Sequence, residues 1–135
     1  VIGGGLVGTE TAEYVVEKGC TASIIEMTDK IANGESSTIL PIIMADFAKH
    51  DVKQYTNTKV KAITNDDKTI VATDAEEKEI TIDCDTIIMA VGSKKNVIDV
   101  EGVTTPITYA GDCAGERTAS IAEAIRGGYN AANEI

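Results

Sequence analysis

The chain has 135 residues, 43% of them apolar, and carries 22 acidic against 12 basic side chains for a formal net charge of −10. That is one ordinary soluble domain, long enough to bury a core. Its acidity argues against nucleic acid or a membrane surface as partner, since both are met by basic patches. No apolar run approaches the roughly 20 residues of a membrane span, and Val1-Ile2 lacks the basic lead of a signal peptide. Cys20, Cys84 and Cys113 are odd in number and far apart, which points to reduced thiols in a cytoplasmic protein.

Val1-Ile2 reads as the end of a strand, with Gly3–Gly5 as the turn that follows. Leu6 to Lys18 reads as a helix with Ala12, Val15 and Val16 as its apolar stripe and Gly19 as its C-terminal cap. Thr21–Glu26 is short and β-branched, a second strand. Asp29–Gly34 reads as a polar loop. A further helix capped by Ser36 or Ser37 runs to about Lys49, with Pro41 near its first turn, where a missing N–H costs least.

After His50 the period changes. Val52–Thr56 is a short strand, and Lys59–Thr64, Thr69–Asp74 and Glu79–Asp83 alternate as a three-stranded antiparallel meander with one wet face. Asn65-Asp66-Asp67 and Asp74–Glu77 are the expected turns. Thr86–Val91 is continuously apolar, as a strand buried on both faces is. Gly92–Gly102 is a loop, Ile107–Ala110 a short strand, and Glu116–Ile135 a final helix.

Strand, glycine turn, helix and strand form a βαβ unit. The expected fold is therefore α/β: a Rossmann-like dinucleotide-binding domain with a parallel sheet, into which the meander is inserted. Gly3, Gly5 and Gly8 have the spacing G-x-G-x-x-G. In this setting Gly3 permits the tight turn, Gly5 lets backbone approach a pyrophosphate, and Gly8 lets helix pack on strand. Leu6 and Val7 open the helix, whose N-terminus offers free N–H groups and a partial positive charge to phosphate. Glu26 ends the second strand, where an acid can take both adenosine ribose hydroxyls and repel a 2′-phosphate, so NAD(H) is expected over NADP(H). The plainer alternatives are a flexible glycine loop, a solvated glutamate, or a nucleoside-sulfonium binder such as a methyltransferase.

The order of these motifs resembles the pyridine-nucleotide-dependent flavoprotein oxidoreductases of the disulfide reductase superfamily. Within it, the likeness is to the C-terminal region of NADH:flavin oxidoreductases of the old yellow enzyme and 2,4-dienoyl-CoA reductase type. The resemblance implies that Gly3, Gly5 and Gly8 are the second fingerprint of such an enzyme, with Glu10 toward the nicotinamide end. It implies that Ala90-Val91-Gly92 close the NADH domain, with Lys95 standing where the family has a proline. Gly111-Asp112 then match the motif at which the chain re-enters the FAD domain, the aspartate bonding the ribityl chain. The next helix would bring N–H groups near Arg117, Thr118 and Ala119 to the flavin pyrimidine edge. On this resemblance residues 1–102 form the NAD(H)-binding domain, and 103–135 a strand and helix of the FAD-binding domain. FAD would find only a partial site, the remainder of which belongs to FAD-binding and catalytic portions outside this chain. The chain then reads as a fragment running from mid-strand to the end of a helix.

No catalytic residue and no metal site is expected: there is no C-x-x-C and no metal-ligand spacing. The cysteines read as small apolar packing residues and His50 as a solvated helix-end histidine. Ile121, Ala124, Ile125 and Ala132 form an apolar stripe that predicts either a homodimer through the last helix or weak order after about Gly102. A non-catalytic NAD-sensing domain is the alternative function, one that has no need of the Gly-Asp motif.

Overall fold

The computed structural model describes residues 1–64, 68–114 and 120–134. The expected turn at Asn65-Asp66-Asp67, and Arg117, Thr118 and Ala119, lie outside the described residues. The chain divides into two compact units, Val1–Val91 and Gly92–Ile135. The division falls before the expected loop Gly92–Gly102 rather than after it, and Gly92 stands there at φ +92.

In the first unit, α1 (Leu6–Glu17) leads to β1 (Ser23–Ile25), α2 (Leu40–Lys49) and β2 (Lys53–Tyr55). The helix α1 ends as expected: Gly19 adopts φ +84, and the N–H groups of Gly19 and Cys20 close on the carbonyls of Val16 and Val15. β1 and β2 pair in parallel, Ser23 opposite Lys53 and Ile25 opposite Tyr55. Ile2 bridges Ile25 on one side and Met89 on the other, both in parallel. The order across the sheet is therefore Met89, Ile2, β1, β2, the parallel arrangement that a βαβ unit dictates.

The alternation of β1 sorts its side chains between two cores. Ile24 faces Ala12 and Val16 of α1 and Ile43 and Phe47 of α2, with Ile31 and Val52 completing the cluster. Ile25 joins Ile2 and Ile70 on the other face, against Tyr55, Val60 and Ile82. That second face is covered by the meander, β3 (Lys59–Thr64), β4 (Thr69–Thr73) and β5 (Glu79–Asp83), paired antiparallel in that order. Ile70 and Ala72 of β4 are buried, whereas Glu79, Thr81 and Asp83 of β5 are exposed, which is the alternation of a sheet with one wet face. The turn into β5 is held by Asp74, whose Oδ1 accepts from the N–H groups of Glu76 (2.9 Å) and Lys78 (3.0 Å).

Three local expectations need correction in this unit. Asp29–Gly34 is not simply a polar loop, because Ile31 and Ala32 are buried and Ala32 takes φ 53. Neither Ser36 nor Ser37 caps α2. The N-cap is Ile39 in a helical conformation, and the Ser36 carbonyl instead accepts from Ile39 and Leu40 in a preceding turn. Pro41 does sit in the first turn of α2. Thr86–Val91 forms no extended strand. Its backbone pairing with the sheet is a single bridge, in which the Ile2 N–H donates to the Ile88 carbonyl (2.8 Å) and the Ala90 N–H to the Ile2 carbonyl (2.7 Å).

In the second unit a 3-10 turn at Gly111–Cys113 precedes α3 (Ile121–Asn133). Ile107–Ala110, expected as a strand, has no strand partner among the described residues and stays irregular. Ser120 caps α3, its hydroxyl accepting from the Glu123 N–H. Gly127 lies so close to the turn that a Cβ there would stand 3.3 Å from the Gly111 amide nitrogen.

Candidate functional site

The glycine loop joins Ile2 to α1 at the end of the sheet where β1 finishes. Gly3 has φ +98, and a side chain on it would strike the Ala90 carbonyl oxygen. A Cβ on Gly8 would strike the Gly3 carbonyl oxygen. These two glycines are thus needed for the turn and for the approach of helix to strand. Gly5 differs: it has φ −65, and a Cβ there would meet nothing within 4 Å. Its freedom from a side chain is unused by the fold and leaves open space over the loop.

Gly5 is also the N-cap of α1 and makes no side-chain cap bond. The first helical hydrogen bond is from Thr9 N–H to the Gly5 carbonyl (2.9 Å). The amides of Leu6, Val7 and Gly8 belong to the first turn, which has no acceptors within the helix. The dipole of α1 adds partial positive charge there.

Glu26 lies beside this loop. Its Oε2 accepts from the Gly4 N–H at 2.6 Å, and its Oε1 accepts from the Thr28 N–H (2.9 Å) and the Thr28 hydroxyl (2.8 Å). Partial burial pushes the Glu26 carboxyl up, but hydrogen bonds from Gly4, Thr28 and Met27 outweigh it and hold the group below the ordinary glutamate range. The acid that ends β1 and the loop that opens α1 are therefore one hydrogen-bonded unit.

Several members of that unit were not singled out from sequence. Gly4 is enclosed: a Cβ would stand 2.6 Å from Ile31 Cγ2 and 3.0 Å from Glu26 Cβ. Its carbonyl accepts from the Ala32 N–H (2.7 Å) and the buried Thr9 hydroxyl (3.2 Å). Thr28 grips the acid. The signals were a threonine following Gly8 inside a helix, and a second one two residues beyond the acid.

The remaining expected positions lie elsewhere. Glu10 is exposed on α1 and shares no hydrogen bond with the loop among the described residues. Gly92 turns the chain at the start of the second unit. There Gly111 (φ +68) and exposed Asp112 form the 3-10 turn against which Ala124 and Gly127 pack. Cys113 donates its thiol to the Ala110 carbonyl (3.0 Å). Cys20 is exposed rather than packed, because it follows Gly19 out of the end of α1. His50 Nδ1 stands 3.3 Å from Asp46 Oδ2 at the end of α2. Among the described residues no group of acids, histidines and cysteines could hold a metal ion, and no helix is long and apolar enough to cross a membrane.

The parallel order, the glycine loop and the acid after β1 define a Rossmann-like α/β domain of the dinucleotide-binding type. Residues 1–128 match the family described as pyridine nucleotide-disulphide oxidoreductase, and the chain belongs to that family. It is 43% identical over 138 residues to a bilirubin reductase of Mediterraneibacter gnavus (strain CC55_001C), a match that takes in 100% of this chain and 21% of that protein. It is 29% identical over 141 residues to an NADH oxidase of Thermoanaerobacter brockii, again with 100% and 21% coverage. Among solved structures, a 2-naphthoyl-CoA reductase in complex with 2-naphthoyl-CoA matches with a TM-score of 0.74 and 27% identity, over 99% of this chain and 20% of that one. The chain thus spans about a fifth of the length of these relatives.

Proposed function

We propose that the chain is the NADH-binding module of a flavin-dependent oxidoreductase and positions NADH for hydride transfer to FAD. The observation that carries this is the Glu26–Gly4 hydrogen bond, which joins a ribose-binding acid to a pyrophosphate-binding loop. Gly5 leaves room for the pyrophosphate, and the first-turn amides of α1 face it with unspent donors. Glu26, held ionised, accepts the adenosine ribose hydroxyls and repels a 2′-phosphate. NADH held there would bring the hydride and a flavin would be its acceptor; the protein's part is to orient the first against the second. A relative named NADH oxidase, whose match takes in the whole of this chain and 21% of its own length, favours the same cofactor.

In this reading Glu10 lies toward the nicotinamide end. Gly92 ends the NADH domain, and Gly111, Asp112, Thr118 and Ala119 contribute one wall of the FAD site, completed by parts of the enzyme outside this chain. Alone, the chain holds no FAD and oxidises no NADH. The finer likeness to the old yellow enzyme and 2,4-dienoyl-CoA reductase type rests on motif order.

The test is a fluorescence titration with NADH and NADPH. The chain should bind NADH more tightly, and Glu26→Ala should erode the preference by about tenfold to a hundredfold, the worth of a hydrogen bond to a charged group. Equal affinity for both cofactors in the unaltered chain would sink the assignment.

A further inference from the structure

Gly4 occupies a position that the G-x-G-x-x-G spacing leaves open to any residue, yet the fold closes on it. Its N–H donates to Glu26 Oε2 (2.6 Å). Its carbonyl accepts from the Ala32 N–H (2.7 Å) and the Thr9 hydroxyl (3.2 Å), and both donors belong to buried residues. A Cβ on it would stand 2.6 Å from Ile31 Cγ2, 3.0 Å from Glu26 Cβ and 3.2 Å from Ile24 Cγ2. The peptide before Gly4 therefore holds the acid, and the peptide after it is fastened to buried donors. The Thr28 N–H and hydroxyl both donate to Oε1. The Gly4 N–H ties the other oxygen to the loop; without it the carboxylate can pivot about Oε1.

We propose that Gly4 is a positioning residue for the adenosine 5′-diphosphate half of the cofactor. This rests on the NADH-binding reading above and adds to it the joint between its two contacts. Ribose diol and diphosphate belong to one ligand, joined through the 5′-carbon. The acid and the loop amides must stand at one separation to meet both. Gly4 sets that separation, and the open space proposed for the diphosphate begins at its neighbour Gly5. An acid already in place lowers the ordering cost of binding. A side chain at position 4 presses on the Glu26 Cβ and lifts the carboxylate from the N–H, while the first-turn amides of α1 keep their places.

NADH and inorganic pyrophosphate are titrated into the unaltered chain, Gly4→Ala, Ile31→Ala and the double variant Gly4→Ala/Ile31→Ala. The double variant makes room where the new methyl meets Ile31 but keeps its contact with Glu26 Cβ, so it is compared with Ile31→Ala alone. Each variant carrying Gly4→Ala should bind NADH about tenfold more weakly than its reference, the effect of one hydrogen bond to a charged group. Pyrophosphate, which meets only the loop amides, should bind as it does to the reference. In a proton–nitrogen correlation spectrum of the unaltered chain, the Gly4 amide resonance should follow the ionisation of Glu26. In the variants carrying Gly4→Ala the amide at position 4 should not. Undiminished NADH affinity in the double variant, while Glu26→Ala weakens it, overturns the proposal and leaves the NADH-binding reading standing. So does an equal loss of NADH and pyrophosphate, which is what a collapsed loop gives. A Gly4 amide that ignores Glu26 in the unaltered chain overturns the proposal whatever the variants do. An unaltered chain that binds no NADH overturns the reading and the proposal together.

Discussion

Phe47 and Ile125 are both large apolar residues on amphipathic helices, yet Phe47 is 0% exposed and Ile125 69%. Phe47 packs with Ile43, one turn before it, into a cluster that α1 and β1 complete. On α3 the small residues Ala124 and Gly127 sit against the Gly111 turn, while Ile121, Ile125 and Tyr129, each a turn apart, stay in solvent. No described residue of Gly92–Ile135 is buried. An apolar stripe states which face of a helix can be buried; only the partner elements decide whether it is. The first unit contains the partners of the α2 stripe in α1 and β1, and the described residues of the second do not bury the stripe of α3.

The largest test of that contrast is a pair of truncations. Phe47→Ala should cost about 3–5 kcal/mol in a denaturant melt, because the cavity opens between a sheet and two helices. A cost below about 1 kcal/mol would mean that the helix-side core is not packed as described. Next comes Gly8→Ala, whose new Cβ meets the Gly3 carbonyl oxygen rather than a yielding side chain. It should destabilise the first unit by about 1–3 kcal/mol; neutrality would show that α1 approaches the strand less closely.

A smaller effect follows from Glu26. Its folded carboxyl is held below the ordinary glutamate value by its donors, so the unfolded chain binds the proton more readily. The stabilisation is therefore complete above the unfolded value and is lost as pH falls through the folded one. Melting temperature against pH should decline in that acid window, and Glu26→Gln should flatten the decline. A parallel decline in the variant would assign the acid sensitivity to other carboxylates. Smallest of all is Ile125→Ala, which should change stability by no more than about 0.5 kcal/mol. A loss like that of Phe47→Ala would show the stripe to be buried in solution.

What could be read beforehand follows the same division. The helix from Leu6 and the three strands of the meander are where periodicity placed them, because each buries one face against a neighbour within the first unit. The apolar run Thr86–Val91 promised a strand, but the sheet offers it one bridging residue, Ile2, and a ladder needs more. Ile107–Ala110 has the composition of a strand and, among the described residues, no strand beside it. In the candidate site the glycines at 3 and 8 were legible as backbone requirements, Gly3 for its positive φ and Gly8 for the close approach of helix to strand, and Glu26 as an acid at the end of β1; the fold itself makes no demand on Gly5. The grip of Thr28 and the enclosure of Gly4 were not. They arise where the loop, the end of β1 and the Ile31-Ala32 segment meet, and no local pattern announces such a meeting.

Gly5 provides the most direct measurement. A Cβ there touches nothing in the protein, so Gly5→Val should fold, giving up no more than about 1 kcal/mol for a poorer N-cap of α1, while its side chain occupies the space proposed for the pyrophosphate. NADH titrated into the two proteins under identical conditions should give saturable binding to the unaltered chain and none to Gly5→Val. Unaltered affinity in a correctly folded Gly5→Val would contradict the account, because the glycine loop would then not be where the cofactor binds.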